Sequence, residues 1–140
     1  MNAAPSPLIV TDSNKLKKEI GGFLLFLGVI LTAVGYWSYS ALILGNPHLF
    51  GFSRNIALGV PMLLLGILHL LAGVLLVVTS KKIWAIVGAI ASTLMALFYF
   101  TFFVVATGKL PLNLITALIV IVPIGVWART RVFLRTLSQK

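Results

Sequence analysis

One imidazole interrupts the apolar run LLLGILHLLAGVLLV at residues 63–77: His69, near the middle of a segment long enough to cross a membrane. A histidine so placed hydrogen-bonds a neighbour, holds a metal or macrocycle, or carries a proton. In the neutral ring one nitrogen donates and the other accepts. Counting from the ends of the apolar runs puts Thr32, Ser92 and Thr93 at nearly the same depth, so the expected partner is one of those hydroxyls. The sharper chemistry is axial ligation, with His69 as the cofactor-binding residue of a haem or a chlorophyll-type pigment. A haem held by two histidines needs a second intramembrane imidazole, and His48 falls between apolar runs; a pigment magnesium needs one. A pore lined by His69, Ser92 and Thr93 is a third arrangement of the same residues.

Most other chemistry is missing. Asp12 and Glu19 are the two acidic residues, and none follows Glu19. The membrane body therefore has no paired carboxylate, no Ser-His-Asp set and no carboxylate metal site. There is no cysteine for a thiolate nucleophile, an iron–sulfur cluster or a zinc site. No phosphate-cradling or dinucleotide glycine motif occurs. Ion-coupled transporters place ionisable or strongly polar groups near the midplane, where this chain offers His69 and some hydroxyls, with Asn113 nearer a helix end. The expectation is a protein that is not an enzyme.

The elements that must position His69 are membrane helices. With 60% hydrophobic and 9% charged residues, the chain is too apolar for a soluble domain of 140 residues. Four runs reach spanning length, at about 20–44, 55–79, 83–107 and 110–127. The fold class expected is an all-α integral membrane protein with four transmembrane helices in a small antiparallel bundle. Residues 1–19 read as an N-terminal tail and interfacial lead-in, 20–128 as the transmembrane domain and 129–140 as a basic C-terminal tail. Basic residues then sort by side. Lys15, Lys17 and Lys18 precede the first run, Lys81 and Lys82 separate the second and third, and Arg129, Arg131, Arg135 and Lys140 follow the fourth. Arg54 and Lys109 alone fall on the other side, so the positive-inside rule places both termini in the cytoplasm, in what reads as a bacterial inner membrane. The net charge of +9 therefore points to anionic lipid headgroups and away from nucleic acid. KLKK followed by an apolar run and SYSA imitates a signal peptide, but the run has spanning length and is expected to stay as the first helix.

The most specific pattern is a repeat. Gly21, Gly28 and Gly35 lie seven apart, as do Gly59, Gly66 and Gly73, and the two segments also share leucines, Leu25 with Leu63 and Leu27 with Leu65. Seven residues nearly return to one helix face, drifting by about 20°. Each of the first two helices therefore carries a glycine stripe. Burying apolar side chains drives little association in lipid, so close approach at small residues has to supply it, and the two stripes are expected to pack on each other. His69 takes the position of Leu31 in this repeat, an addition to the packing pattern.

Aromatic residues mark the remaining surfaces. Tyr36, Trp37 and Tyr39 near one end, and Trp84 and Trp127 near the other, read as interfacial anchors. Phe98, Tyr99, Phe100, Phe102 and Phe103 crowd FYFTFF, which covers every face of a helix, so some rings must meet lipid or a partner. Phe50 and Phe52 extend that surface. Pro61 falls in the first turns of the second helix, Pro111 opens the fourth and Pro123 should kink it. Beyond Trp127 the sequence reads as a helix lying along the interface, its arginines on headgroups and Val132, Phe133 and Leu137 in the acyl boundary. The functional expectation is an accessory or structural subunit of a larger membrane complex, with other integral membrane proteins and anionic lipids as partners. The alternative is a cofactor-, pigment- or small-molecule-binding membrane protein centred on His69.

Overall fold

The computed structural model describes residues 12–43, 52–108 and 114–138. The loop around His48 and Phe50, the turn holding Lys109 and Pro111, Asn113, Lys140 and the N-terminal tail fall outside them. So do the side chains of Phe52, Arg54 and Phe103. The described chain forms four helices: α1 (Ser13–Ile43), α2 (Phe52–Thr79), α3 (Lys82–Thr107) and α4 (Leu114–Ser138). Each is long and apolar enough to cross a membrane, and no strand occurs among the described residues. At 1.5 Å per residue, the 31 residues of α1 reach about 46 Å, well beyond a hydrocarbon core of about 30 Å. Turns of helix therefore project past the apolar layer.

The α1 helix starts where Asp12 Oδ1 accepts the Asn14 backbone N–H at 2.9 Å, a side-chain cap for an otherwise orphaned donor. Two residues join α2 to α3. Ser80 sits at φ 57°, in the left-handed region, and still closes α2 by donating its N–H to Leu76 O. Gly108 ends α3 at φ 67°, with its N–H on Val104 O at 2.8 Å, a left-handed cap that glycine adopts without steric cost.

The tightest packing joins α1 and α2. A β-carbon built on Gly28 would lie 2.8 Å from the Leu70 nitrogen, one on Gly35 2.6 Å from that of Leu63, and one on Gly66 2.6 Å from that of Thr32. Gly21 and Gly73 meet each other and Val77 and Leu25, while Gly59 has slightly more room against Gly35, Ser38 and Tyr39. Contacting positions fall along one helix as they rise along the other. At Gly28, Gly35, Gly66 and Gly73 a backbone atom is among those within 3.0 Å, and backbone cannot rotate away, so a side chain at these four positions would separate the helices.

Around this pair lie two apolar clusters stacked along the bundle. One gathers Leu16, Ile20 and Leu24 of α1, Ala72 and Leu76 of α2, Ala85 and Ala89 of α3, and Val126 and Phe133 of α4. The other centres on Leu31, Met62 and Met95, with Leu58, Leu65, Phe98, Ile119 and Val122 against it. Three sequence expectations change. The segment after Trp127 is no separate interfacial helix, because α4 runs unbroken to Ser138 and Phe133 is buried against the other three helices. Residues 13–19 likewise belong to α1, with Leu16 in the same cluster, because the two projecting ends bury each other. Pro61, expected in the first turns of α2, sits in its interior because the helix already begins at Phe52. Pro123 lies buried inside α4, where its missing N–H leaves the Ile119 carbonyl without its helical donor.

Gly22 and Gly28 separate packing from propensity. A β-carbon on Gly22 meets nothing within 4 Å, unlike one on Gly28. Gly28→Ala should destabilise the protein by about 1–3 kcal/mol through overpacking, whereas Gly22→Ala should be neutral or mildly stabilising. Unfolding in mixed detergent micelles with increasing SDS measures both. Equal responses would mean that the seam is not a tight contact.

Candidate functional site

His69 and Ser92 form a polar layer between the two clusters. His69 on α2 follows Met62 and Leu65 and precedes Ala72; Ser92 on α3 lies between Ala89 and Met95. Each is ten residues from the nearer helix end, Thr79 or Lys82, or about 15 Å, half the depth of a bilayer core. Both side chains are fully buried.

The hydrogen bonds fix the tautomer. His69 Nδ1 lies 2.7 Å from Leu65 O, and a carbonyl only accepts, so Nδ1 carries the proton. In the neutral ring Nε2 is then an acceptor, 3.1 Å from Ser92 Oγ. That hydroxyl has one proton and two places for it, Nε2 and Gly88 O at 2.9 Å. The helical carbonyl of Gly88 is a backbone acceptor already served in the α3 ladder, so the proton belongs to Nε2. With that assignment both ring nitrogens are satisfied.

Of the three hydroxyls at this depth, Ser92 alone meets the ring. Thr93 Oγ1 donates to Ala89 O at 3.0 Å and accepts from the Trp127 indole Nε1 at 3.0 Å. Trp127, expected as an interfacial anchor, thus turns its N–H inward to a residue three turns into α3. Thr32 Oγ1 lies against Gly66 of the seam and is a buried side-chain oxygen with no hydrogen-bond partner. The seam forces that orphan position, since the α2 backbone passes directly over it.

A macrocycle does not fit His69 as it stands. A haem iron or pigment magnesium needs a free ring nitrogen and an open face, and this ring is fully buried with both nitrogens engaged. Among the described residues no group of three or more His, Asp or Glu could hold a metal ion. The groove between α3 and α4 and the groove between α1 and α4 are not lined by His69.

The remaining expected residues separate by face. In the aromatic run Tyr99 is buried, while Phe98, Phe100 and Phe102 are half-buried; the expectation that the run must show rings outward holds less than its six positions imply, because α3 packs on both α2 and α4. Apart from Arg54 in the first turn of α2, the cations of the described residues collect at one end of the bundle: Lys17 Nζ donates to Ser80 Oγ at 2.8 Å beside Lys81 and Lys82, and Arg129 pairs with Glu19 at 3.6 Å. Lys15, Lys18, Arg131 and Arg135 are exposed at that end. Glycine counting missed Gly88, which Leu24 covers. The signal was a stripe of small residues, Ala85, Gly88, Ala89 and Ser92, at helical spacing. Comparison with family models, with characterised proteins and with solved structures finds no match to this chain.

The layer makes a testable set. Ser92→Ala should cost about 0.6 kcal/mol, the average for an intramembrane side-chain bond, and at most about 1.7 kcal/mol. Thr32→Val should cost nothing or stabilise, because it removes an unmet buried oxygen. Nitrogen-15 NMR of the ring should show Nδ1 protonated and Nε2 bare; the opposite tautomer would refute the assignment.

Proposed function

We propose that the chain is a non-catalytic accessory subunit of a larger complex in a bacterial inner membrane. In this reading its helices form an antiparallel up-and-down bundle with both termini cytoplasmic. The observation that carries the reading is the closure of the interior: His69 and Ser92 satisfy each other, and Thr93 and Trp127 do likewise. Thr32 Oγ1 has no hydrogen-bond partner, but Gly66 of α2 covers it in the seam, so among the described residues His69, Ser92, Thr93 and Thr32 all point into protein contacts, which fits a part that works by its outer surface. The topology follows from the cations gathered at one end, the cytoplasmic side by the positive-inside rule.

The contact face lies on α1, opposite the glycine seam. Phe26 is 61% exposed, Trp37 56% and Ile30 43%, and their spacing keeps them on one stripe about 160–180° from Gly28. Tyr99 is too buried for the role expected of the aromatic run. Lipid can cover an apolar stripe, and the absence of interior chemistry is what favours a protein partner. A photoreactive residue at Phe26 or Trp37 in native membranes should capture one defined membrane protein that also co-purifies in mild detergent. A chain that crosslinks to lipid alone, purifies as a monomer and shows a Soret or pigment band lost in His69→Leu would reverse the reading in favour of a ligand site at His69.

A further inference from the structure

The groove between α3 and α4 has a volume of about 660 Å³, within the range of small-molecule sites. It runs along α4 from Val120 to Arg131, about 16 Å, which matches the hydrocarbon depth of one leaflet. Its walls are Leu97 and Phe100 on one side and Ile124 and Trp127 on the other, with the small Ala96 and Ala128 leaving the space. Thr93 and the Trp127 N–H also line it, but they are bonded to each other at 3.0 Å. Apart from one group, the groove offers an occupant hydrocarbon contacts.

That group is Arg131, at the basic end. Thr130, its neighbour, reaches Ala85 O in the first turn of α3, so Arg131 lies level with the start of that helix, beside Lys81 and Lys82. Neither acidic side chain is placed on it. Of the chain's two acids, Glu19 is paired with Arg129, and Asp12 caps α1. The α1–α4 groove differs on this point, because the arginine at its mouth is the paired Arg129. A planar guanidinium with no anion, at headgroup depth above a slot of acyl length, is complementary to a phosphate ester carrying a hydrocarbon chain.

We propose that the α3–α4 groove is a binding site for one anionic phospholipid of the basic-side leaflet, with an acyl chain along α4 and the phosphate on Arg131. A lipid there would fill the gap between α4 and its neighbour. The site does not depend on the accessory-subunit reading, and a monomeric protein would retain it.

Native mass spectrometry of the full chain, released from micelles doped with phosphatidylglycerol or with phosphatidylcholine of the same acyl chains, tests the site. One phosphatidylglycerol should be retained per chain, with phosphatidylcholine retained about fivefold less, the effect of one well-placed cation. Arg131→Gln should abolish the preference, while Arg135→Gln, outside the groove, should change it less than about twofold. Ala128→Phe should reduce retention of both lipids, and Ala128→Leu should do so partially if the larger residue lowers helicity. Equal retention of the two lipids overturns the proposal, as does equal loss in both arginine variants. Retention unaffected by filling at Ala128 overturns it too, as does a photoreactive residue at that position that captures a protein.

Discussion

The structure depends on how closely two backbones can approach in a medium where apolar side chains gain little by leaving solvent. Lipid removes most of the hydrophobic driving force between helices, so contact area and dispersion must hold α1 to α2. Dispersion falls steeply with a small gap, and only positions without a β-carbon bring the two main chains into contact along the whole seam. Gly28 against Leu70 and Gly35 against Leu63 show the constraint, because the atoms in the way include main-chain nitrogens beside the leucine side chains. Rearranging a side chain cannot relieve such a clash.

From that pair the remaining packing follows. Fixing α2 on α1 turns the flank of α2 beside the glycine stripe toward α3, and His69, three residues after Gly66 and four before Gly73, lies on that flank. A histidine there must be satisfied inside protein, and the small-residue stripe of α3 brings Ser92 close enough to do so. The polar layer thereby sets the rotation and height of α3 against α2, because an axial slip would leave the buried His69 Nε2 unmet, while Ser92 could fall back on Gly88 O of its own helix. The anchors of α4 include the cluster around Phe133, the Trp127–Thr93 bond, the long contact from Thr130 Oγ1 to Ala85 O and the half-exposed Glu19–Arg129 pair, and grooves open on both of its sides. An ion pair that exposed contributes little. The fold thus grades from a rigid helix pair to a fourth helix with room beside it.

The legible features were those that a single helix encodes. Four apolar runs of spanning length need no knowledge of neighbours, and heptad glycines define a face whatever packs on it. What depends on rotation between helices was hidden. Thr32, Ser92 and Thr93 share a depth with His69, and depth alone cannot choose among them; the seam takes Thr32 and α4 takes Thr93. Five aromatic residues in six consecutive positions carry no phase, so the burial of Tyr99 was invisible. The end of α4 was misread because Arg129 looks like a boundary. Its buried face nevertheless continues through Val126, Thr130 and Phe133 at spacings of four and three, a helical signal that outlasts the apolar run.

The central claim is that the two glycine stripes meet in one register, and a cysteine pair tests it most directly. A β-carbon on Gly59 would lie 3.4 Å from the Ser38 β-carbon, at the short end of disulfide geometry, and the chain has no native cysteine to compete. Ser38→Cys with Gly59→Cys should therefore oxidise within one chain in native membranes, while Ser38→Cys with Gly66→Cys, two turns away along α2, should not. Failure of the first pair to close, with crosslinking by the second or between chains, would contradict the seam and the polar layer built on it.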